Sequence, residues 1–204
     1  MLKKKLLAAA LIGAFAIPGS VLAQEKADSP HTVTGNFTLT TDYVFRGVSQ
    51  TNEDAAVQGG FDYAHASGLY LGTWASNVSF PPGSIEIDAY VGWARTWGDW
   101  GVNVGVLHYD YPGNSALNTD ELYAGGTWKW FNLKYSSTIS DSAFGVLDAK
   151  ATGYAELNFS YTLPMDFVVG AHYGSTMFDG EATPGVPNSD LDYDDWKLSV
   201  GKAL

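Results

Sequence analysis

The side chains able to do chemistry are mostly acids, with a few bases and one histidine: Asp42, Arg46, Asp62, Glu86, Asp88, Glu121, Lys129, Lys134, Glu156, Asp166, His172 and Lys197. Most fall in stretches where apolar and polar residues alternate, so that period-2 geometry puts them on the polar face of strands. A ring of such groups facing a wet interior would select small solutes by charge. The same groups paired across a narrow interior would seal it, because unpaired charge is costly away from water. Seven acids (Asp42, Asp62, Glu86, Asp88, Glu121, Glu156 and Asp166) stand against four bases (Arg46, Lys129, Lys134 and Lys197), so an open path would favour cations.

Other chemistries find thin support. The histidines are His31, His65, His108 and His172, and Ser136 or Ser175 could neighbour one of the last two. No spacing forces the nucleophile–base pair that a lipid hydrolase or acyltransferase needs. The acidic run "NSDLDYDD" (188–195) could offer oxygens to Ca²⁺, but it lacks the glycine and closing glutamate of an EF-hand loop. A solvated acidic loop is the other reading. "NTDE" at 118–121 is another acidic loop, and "SFPPGS" at 79–84 reads as a rigid turn. The chain has no phosphate-cradling loop, zinc spacing or metalloprotease motif, and no cofactor is expected. The absence of cysteine removes disulfides and thiolate chemistry.

The elements that must position these groups read as strands. "IEIDAYVGWART" (85–96) sets Ile85, Ile87, Ala89, Val91 and Trp93 against Glu86, Asp88 and Tyr90, and the pattern recurs down the chain. Ten strands are expected, at about 33–47, 55–64, 68–77, 85–96, 99–110, 119–129, 131–139, 151–162, 165–174 and 192–202. The facing of 68–77 stays open, since Leu69 and Leu71 oppose Tyr70 and Trp74. The connections between strands alternate long and short throughout. An up-and-down meander with two chemically different ends is the pattern of an outer-membrane barrel, with long loops outside and short turns in the periplasm. A soluble sandwich would put the apolar face inside. A membrane barrel inverts that logic. In "TLTTDYVFRG", Phe37, Leu39, Tyr43 and Phe45 would then touch lipid, while Asp42 and Arg46 face inward. The lipid-facing or interfacial aromatic series also takes in Phe61, Trp93, Phe159 and Trp196.

"MLKKKLLAAALIGAFAIPGSVLA" has the basic start, apolar run and small-residue end of a secretory signal peptide. Residues 1–23 are therefore expected to be removed, leaving a lead-in at 24–32 and a barrel from 33 to 204. Of 11 basic residues the signal holds Lys3, Lys4 and Lys5, so 8 remain against 22 acids, a formal charge of −14. Such acidity argues against nucleic acid as a partner. The expected partners are outer-membrane lipid and, on the way there, periplasmic chaperones and the barrel-assembly machinery.

"TTDYVFRGVSQT", "GLYLGTWASNV", "IEIDAYVGW", "DELYAGGTWKWFNLKYS" and "YDDWKLSVGK" are similar to segments of the proteobacterial TorF-family porins, the Gcw_chp domain family. The resemblance runs from about Val33 to the C-terminus. It implies an exported, all-β, antiparallel up-and-down transmembrane β-barrel in the Gram-negative outer membrane, without an assigned substrate. It also implies twelve strands in longer relatives, against the ten visible here. The resulting expectation is a porin-like barrel with at most a narrow path for small cationic or neutral solutes. A non-conducting structural or surface-interaction barrel is the alternative, and a lipid-modifying enzyme a distant third.

Overall fold

β-branched and aromatic residues in strict alternation, with no sustained helical period, give strands. In a computed structural model, which describes residues 29–202, they form β1 (His31–Thr40), β2 (Val44–Phe45), β3 (Val48–Ser49), β4 (Ala56–His65), β5 (Leu69–Asn77) and β6 (Ile85–Trp97). Beyond them come β7 (Trp100–Asp110), β8 (Thr119–Trp128), β9 (Phe131–Thr138), β10 (Gly153–Thr162), β11 (Phe167–Met177) and β12 (Tyr193–Lys202). The expected signal peptide, 1–23, and most of the lead-in lie outside the described residues. No helix among the described residues is long and apolar enough to cross a membrane.

Ten strands pair in the order β1-β4-β5-β6-β7-β8-β9-β10-β11-β12, each antiparallel to the next, and β2 pairs only with β3. Among the described residues β1 and β12 are the two edges of this sheet and do not pair with each other. The connections at one end are 41–55, 78–84, 111–118, 139–152 and 178–192; at the other they are 66–68, 98–99, 129–130 and 163–166. The alternation of long and short therefore holds around the whole meander.

The sheet is strongly curled. The Tyr70 hydroxyl on β5 meets that of Tyr123 on β8, across the two strands between them. Glycines make this possible. Tyr70 pairs in register with Gly92, Tyr90 with Gly72 and Tyr123 with Gly105, so large and small inward residues alternate. A Cβ on Gly92 or Gly105 would collide with the hydroxyl of Tyr70 or Tyr123. Missing side chains let the tyrosines lie along the wall and fill the bore.

The faces are inverted relative to a water-soluble protein. Outward residues such as Val33, Phe61, Leu133, Leu198 and Val200 are exposed, Val200 by 75 %. Glu86, Asp88 and Glu121 are each only 1 % exposed, on the concave side. The buried apolar cluster (Tyr43, Ala56, Trp74, Val78, Tyr109 and Tyr111) sits toward the long-loop end rather than mid-sheet. At the opposite end Trp97, Trp100, Trp128 and Trp130 are exposed, with Trp100 against Trp128 (5.8 Å) and Trp130 against Tyr161 (5.2 Å).

One strand differs from the sequence expectation. β1 stops at Thr40 instead of running to residue 47. Tyr43, expected to face outward, is 2 % exposed and packs on Trp74 at 5.4 Å; Phe45 packs on Tyr109 at 5.7 Å. The reason is the turn that follows. Arg46 and Gly47 both have positive φ (46° and 78°), which makes β2–β3 a two-residue primed hairpin that folds into the bore and carries its aromatics with it. The question over 68–77 also closes: Tyr70 and Trp74 face inward, Leu69 and Leu71 outward.

Candidate functional site

The β2–β3 hairpin spans the mouth of the bore. Its first anchor is Tyr43, whose hydroxyl donates to Glu86 Oε1 at 2.8 Å. Its second is Arg46, which donates from its guanidinium to Glu121 Oε2 at 2.8 Å, with side chains 7 % and 2 % exposed. The guanidinium lies over the rings of Tyr154 (4.3 Å) and Phe45 (4.7 Å). At the tip, an added Cβ on Gly47 would come within 2.5 Å of the Asp195 Cβ on β12. The hairpin thus starts after β1, touches β6, β8 and β10, and ends against the opposite edge strand.

Electrostatics hold these anchors in one state. Burial by itself would lower the Arg46 pKa, but the Glu121 charge outweighs it and keeps the guanidinium more firmly protonated than usual. Burial, and then the Glu86 carboxylate beside it, push the Tyr43 phenol well above its ordinary value. Arg46 occupies a left-handed conformation that costs an ordinary side chain about 1–2 kcal/mol. The ion pair and the two ring contacts hold it there.

Beneath the hairpin lies a second polar layer on β9 to β12. Lys134 Nζ reaches Glu156 Oε1 at 2.7 Å. Asn158 Nδ2 donates to Glu156 Oε2 (3.0 Å), which leaves its Oδ1 to accept from His172 Nδ1 (2.7 Å). The Tyr154 hydroxyl donates to Asp195 Oδ2, and His172 Nε2 stands 3.0 Å from Asp195 Oδ1. A carboxylate only accepts, so the hydrogen bonds of this layer converge on Glu156 and Asp195.

A third layer lies deeper. Tyr70 donates to Asn103 Oδ1, and Tyr90 donates to Asp62. Asp88 differs from its neighbours, since neither of its buried carboxylate oxygens has a hydrogen-bond partner among the described residues.

Of the residues expected to line the interior, Arg46, Asp62, Glu86, Asp88, Glu121, Lys134, Glu156 and His172 come together on the concave side. Lys197 shares the face of its register partner His172 but is exposed, because β12 is an edge. Three others lie elsewhere. Asp42 stays in the first connection, accepting from the Ser49 and Thr51 hydroxyls (2.7 and 3.0 Å). Lys129 sits in the 129–130 turn with φ 52°, beside Asp99 (3.9 Å) and over Trp128. Asp166 is exposed in the turn before β11 with φ 62°. Turn geometry, invisible to a period-2 count, removes all three from the wall.

The other candidates disperse. His31 meets Tyr63 (2.7 Å), His65 meets Ser67 (2.8 Å), and His108 pairs with Asp120 on the outer face (2.7 Å). In the 188–195 run Asp192 accepts from the Phe178 N–H (2.6 Å), Asp195 turns into the bore, and Asp190 and Asp194 remain exposed. Among the described residues no three His, Asp or Glu side chains gather as a metal site would require. Sequence reading missed Tyr154, Asp195, Asn158 and Asn103. For Asp195 the signal was present: it is two residues from Lys197 on the same strand face.

Compared with known proteins, residues 24–204 match the family model described as "Bacterial protein of unknown function (Gcw_chp)". No curated protein and no solved structure gave a match.

Proposed function

Since the chain belongs to the Gcw_chp family, which carries no assigned activity, we propose its function from the geometry: an outer-membrane barrel whose bore is held shut by its own first long connection and passes at most small cations or neutral solutes. The inverted faces support the membrane reading. An apolar surface running around the outside of every strand far exceeds the patches of soluble proteins, and it suits lipid. The aromatic residues at the short-turn end suit an interfacial belt. On this reading the long loops face the outside of the cell and the short turns the periplasm, after export directed by residues 1–23.

The observation that carries the shut bore is the Arg46–Glu121 pair. It fastens the hairpin across the polar interior at 2.8 Å, with aromatic rings filling the space around it. Cation preference rests on the wall itself. The acidic residues Asp62, Glu86, Asp88, Glu121, Glu156 and Asp195 outnumber the basic Arg46, Lys134, His172 and Lys197 there.

Planar-bilayer conductance of the folded chain tests this. The native protein should give rare, small events. A variant with residues 44–49 replaced by a Gly-Ser linker should conduct steadily and favour K⁺ over Cl⁻. A steady native conductance would overturn the shut bore, and anion preference in the variant would overturn the charge argument. Silence in both, with the folded state verified by heat-shifted gel mobility, would favour a purely structural barrel.

A further inference from the structure

All five long connections send an aromatic side chain to one place. Phe45 from the first, Phe80 from the second, Tyr111 from the third, Phe144 from the fourth and Phe178 from the fifth border a cavity of about 230 Å³ at the mouth. Two ring pairs frame it: Phe45 with Phe144 at 5.4 Å and Phe80 with Tyr111 at 6.2 Å. The space is a pocket still partly open to solvent. An apolar cavity of ~150 Å³ is already enough to admit benzene.

The polar groups of the wall restrict what fits. Arg46 borders the cavity, but its charge is committed to Glu121. An anionic ligand would have to compete with that buried pair. Thr176 also borders the cavity, is 3 % exposed, and its hydroxyl has no hydrogen-bond partner among the described residues. Native proteins seldom leave a buried hydroxyl unpaired. That oxygen has almost no accessible surface as it stands, so a turn about the Thr176 Cα–Cβ bond is what would bring it to a ligand hydroxyl or carbonyl as the missing partner. Gln50 and Thr152 also line the wall but already bond the Val48 carbonyl and the Asp179 N–H, and a mainly apolar wall with few polar anchors is the usual form of a small-molecule site.

We propose that this cavity binds small, uncharged one- or two-ring aromatic molecules carrying a single hydroxyl or carbonyl group. This goes beyond the shut bore and does not depend on conduction, so the two readings fail in different assays.

The test follows 4-fluorophenol by ¹⁹F NMR with the folded, detergent-solubilised chain, using 4-fluorobenzoate as the charged control. The phenol should show a protein-bound signal that Leu117→Trp and Val48→Phe both remove, since each fills the cavity from a different loop. Having two filling variants guards against one of them failing to fold, which heat-shifted gel mobility reports. Thr176→Val keeps the shape and should weaken binding about three- to tenfold, the worth of one hydrogen bond. The benzoate should give no bound signal. A phenol signal that survives both filling variants would place the ligand in the micelle and overturn the proposal. Unchanged affinity in Thr176→Val, or benzoate binding as tight as the phenol, would overturn the stated ligand class.

Discussion

Replacing Glu121 by Gln tests the hairpin latch most directly. The substitution keeps the shape of the side chain but leaves the Arg46 guanidinium buried without its counter-charge. The pair is 2.8 Å apart with both side chains under 10 % exposed. Two unit charges with centres ~4 Å apart interact by about 4 kcal/mol at the effective dielectric of a partly wet protein site. Removing one partner of a buried pair typically costs about 3–5 kcal/mol, because the survivor remains desolvated. The Tyr109 hydroxyl, 3.2 Å from Glu121 Oε2, can still bond a glutamine oxygen and does not offset that loss. Arg46→Asn removes the other partner with a residue that tolerates positive φ, so the backbone cost falls while Glu121 is orphaned. Urea unfolding of the chain folded in lipid vesicles, read by tryptophan fluorescence, should place each single variant about 3–5 kcal/mol below the native chain. The double variant should recover much of the loss, giving a coupling above about 1.5 kcal/mol. If Glu121→Gln unfolds within ~0.5 kcal/mol of the native protein, as a surface substitution would, the pair is not a latch and the shut-bore argument falls with it.

Further tests address the faces, the phenols and the wall. Cysteine at Val91, 54 % exposed on the outer face, should react with a lipid-phase probe, whereas cysteine at Asp88 should not; the reverse labelling would mean the sheet is inside out. Tyr43 and Tyr111 lie in the loops, where burial first and the Glu86 charge next raise their phenols above the ordinary value of 10.0. A group raised in the folded state stabilises fully below its unfolded pKa and loses that contribution as pH rises through the folded value. Alkaline titration at 295 nm should therefore leave at least these two phenols un-ionised at pH ~11 until the protein unfolds, with stability declining above pH ~10. Full ionisation without unfolding would contradict their burial. Gly92→Ala places a Cβ 2.6 Å from the Val104 carbonyl oxygen and against the Tyr70 hydroxyl. It should cost about 1–3 kcal/mol of stability in the same urea assay, and a neutral result would refute the packing of tyrosine over glycine.

The meander, the alternation of long and short connections, and the division into an apolar and a polar face were all legible in the amino-acid order. All three follow from local rules, because period-2 geometry assigns each side chain of a strand to one side whatever the strand packs against. Glu86, Asp88, Glu121 and Glu156 were legible for that reason. Tertiary structure decided what the polar face encloses. Tyr43 and Phe45 alternate like strand residues, yet two positive φ values at Arg46 and Gly47 end the alternation and turn them into the bore. No window of sequence reveals that Arg46 will meet Glu121, 75 residues away. Lys129 and Asp166 left the wall through the same kind of local backbone reversal. The convergence of five loop aromatics on one cavity is likewise a product of the curl, since each ring in its own loop is only an apolar residue between turns. Side-chain period is a property of neighbours along the chain, whereas closure of a space depends on sheet curvature, and that is set by inward glycines and tyrosines acting across strands.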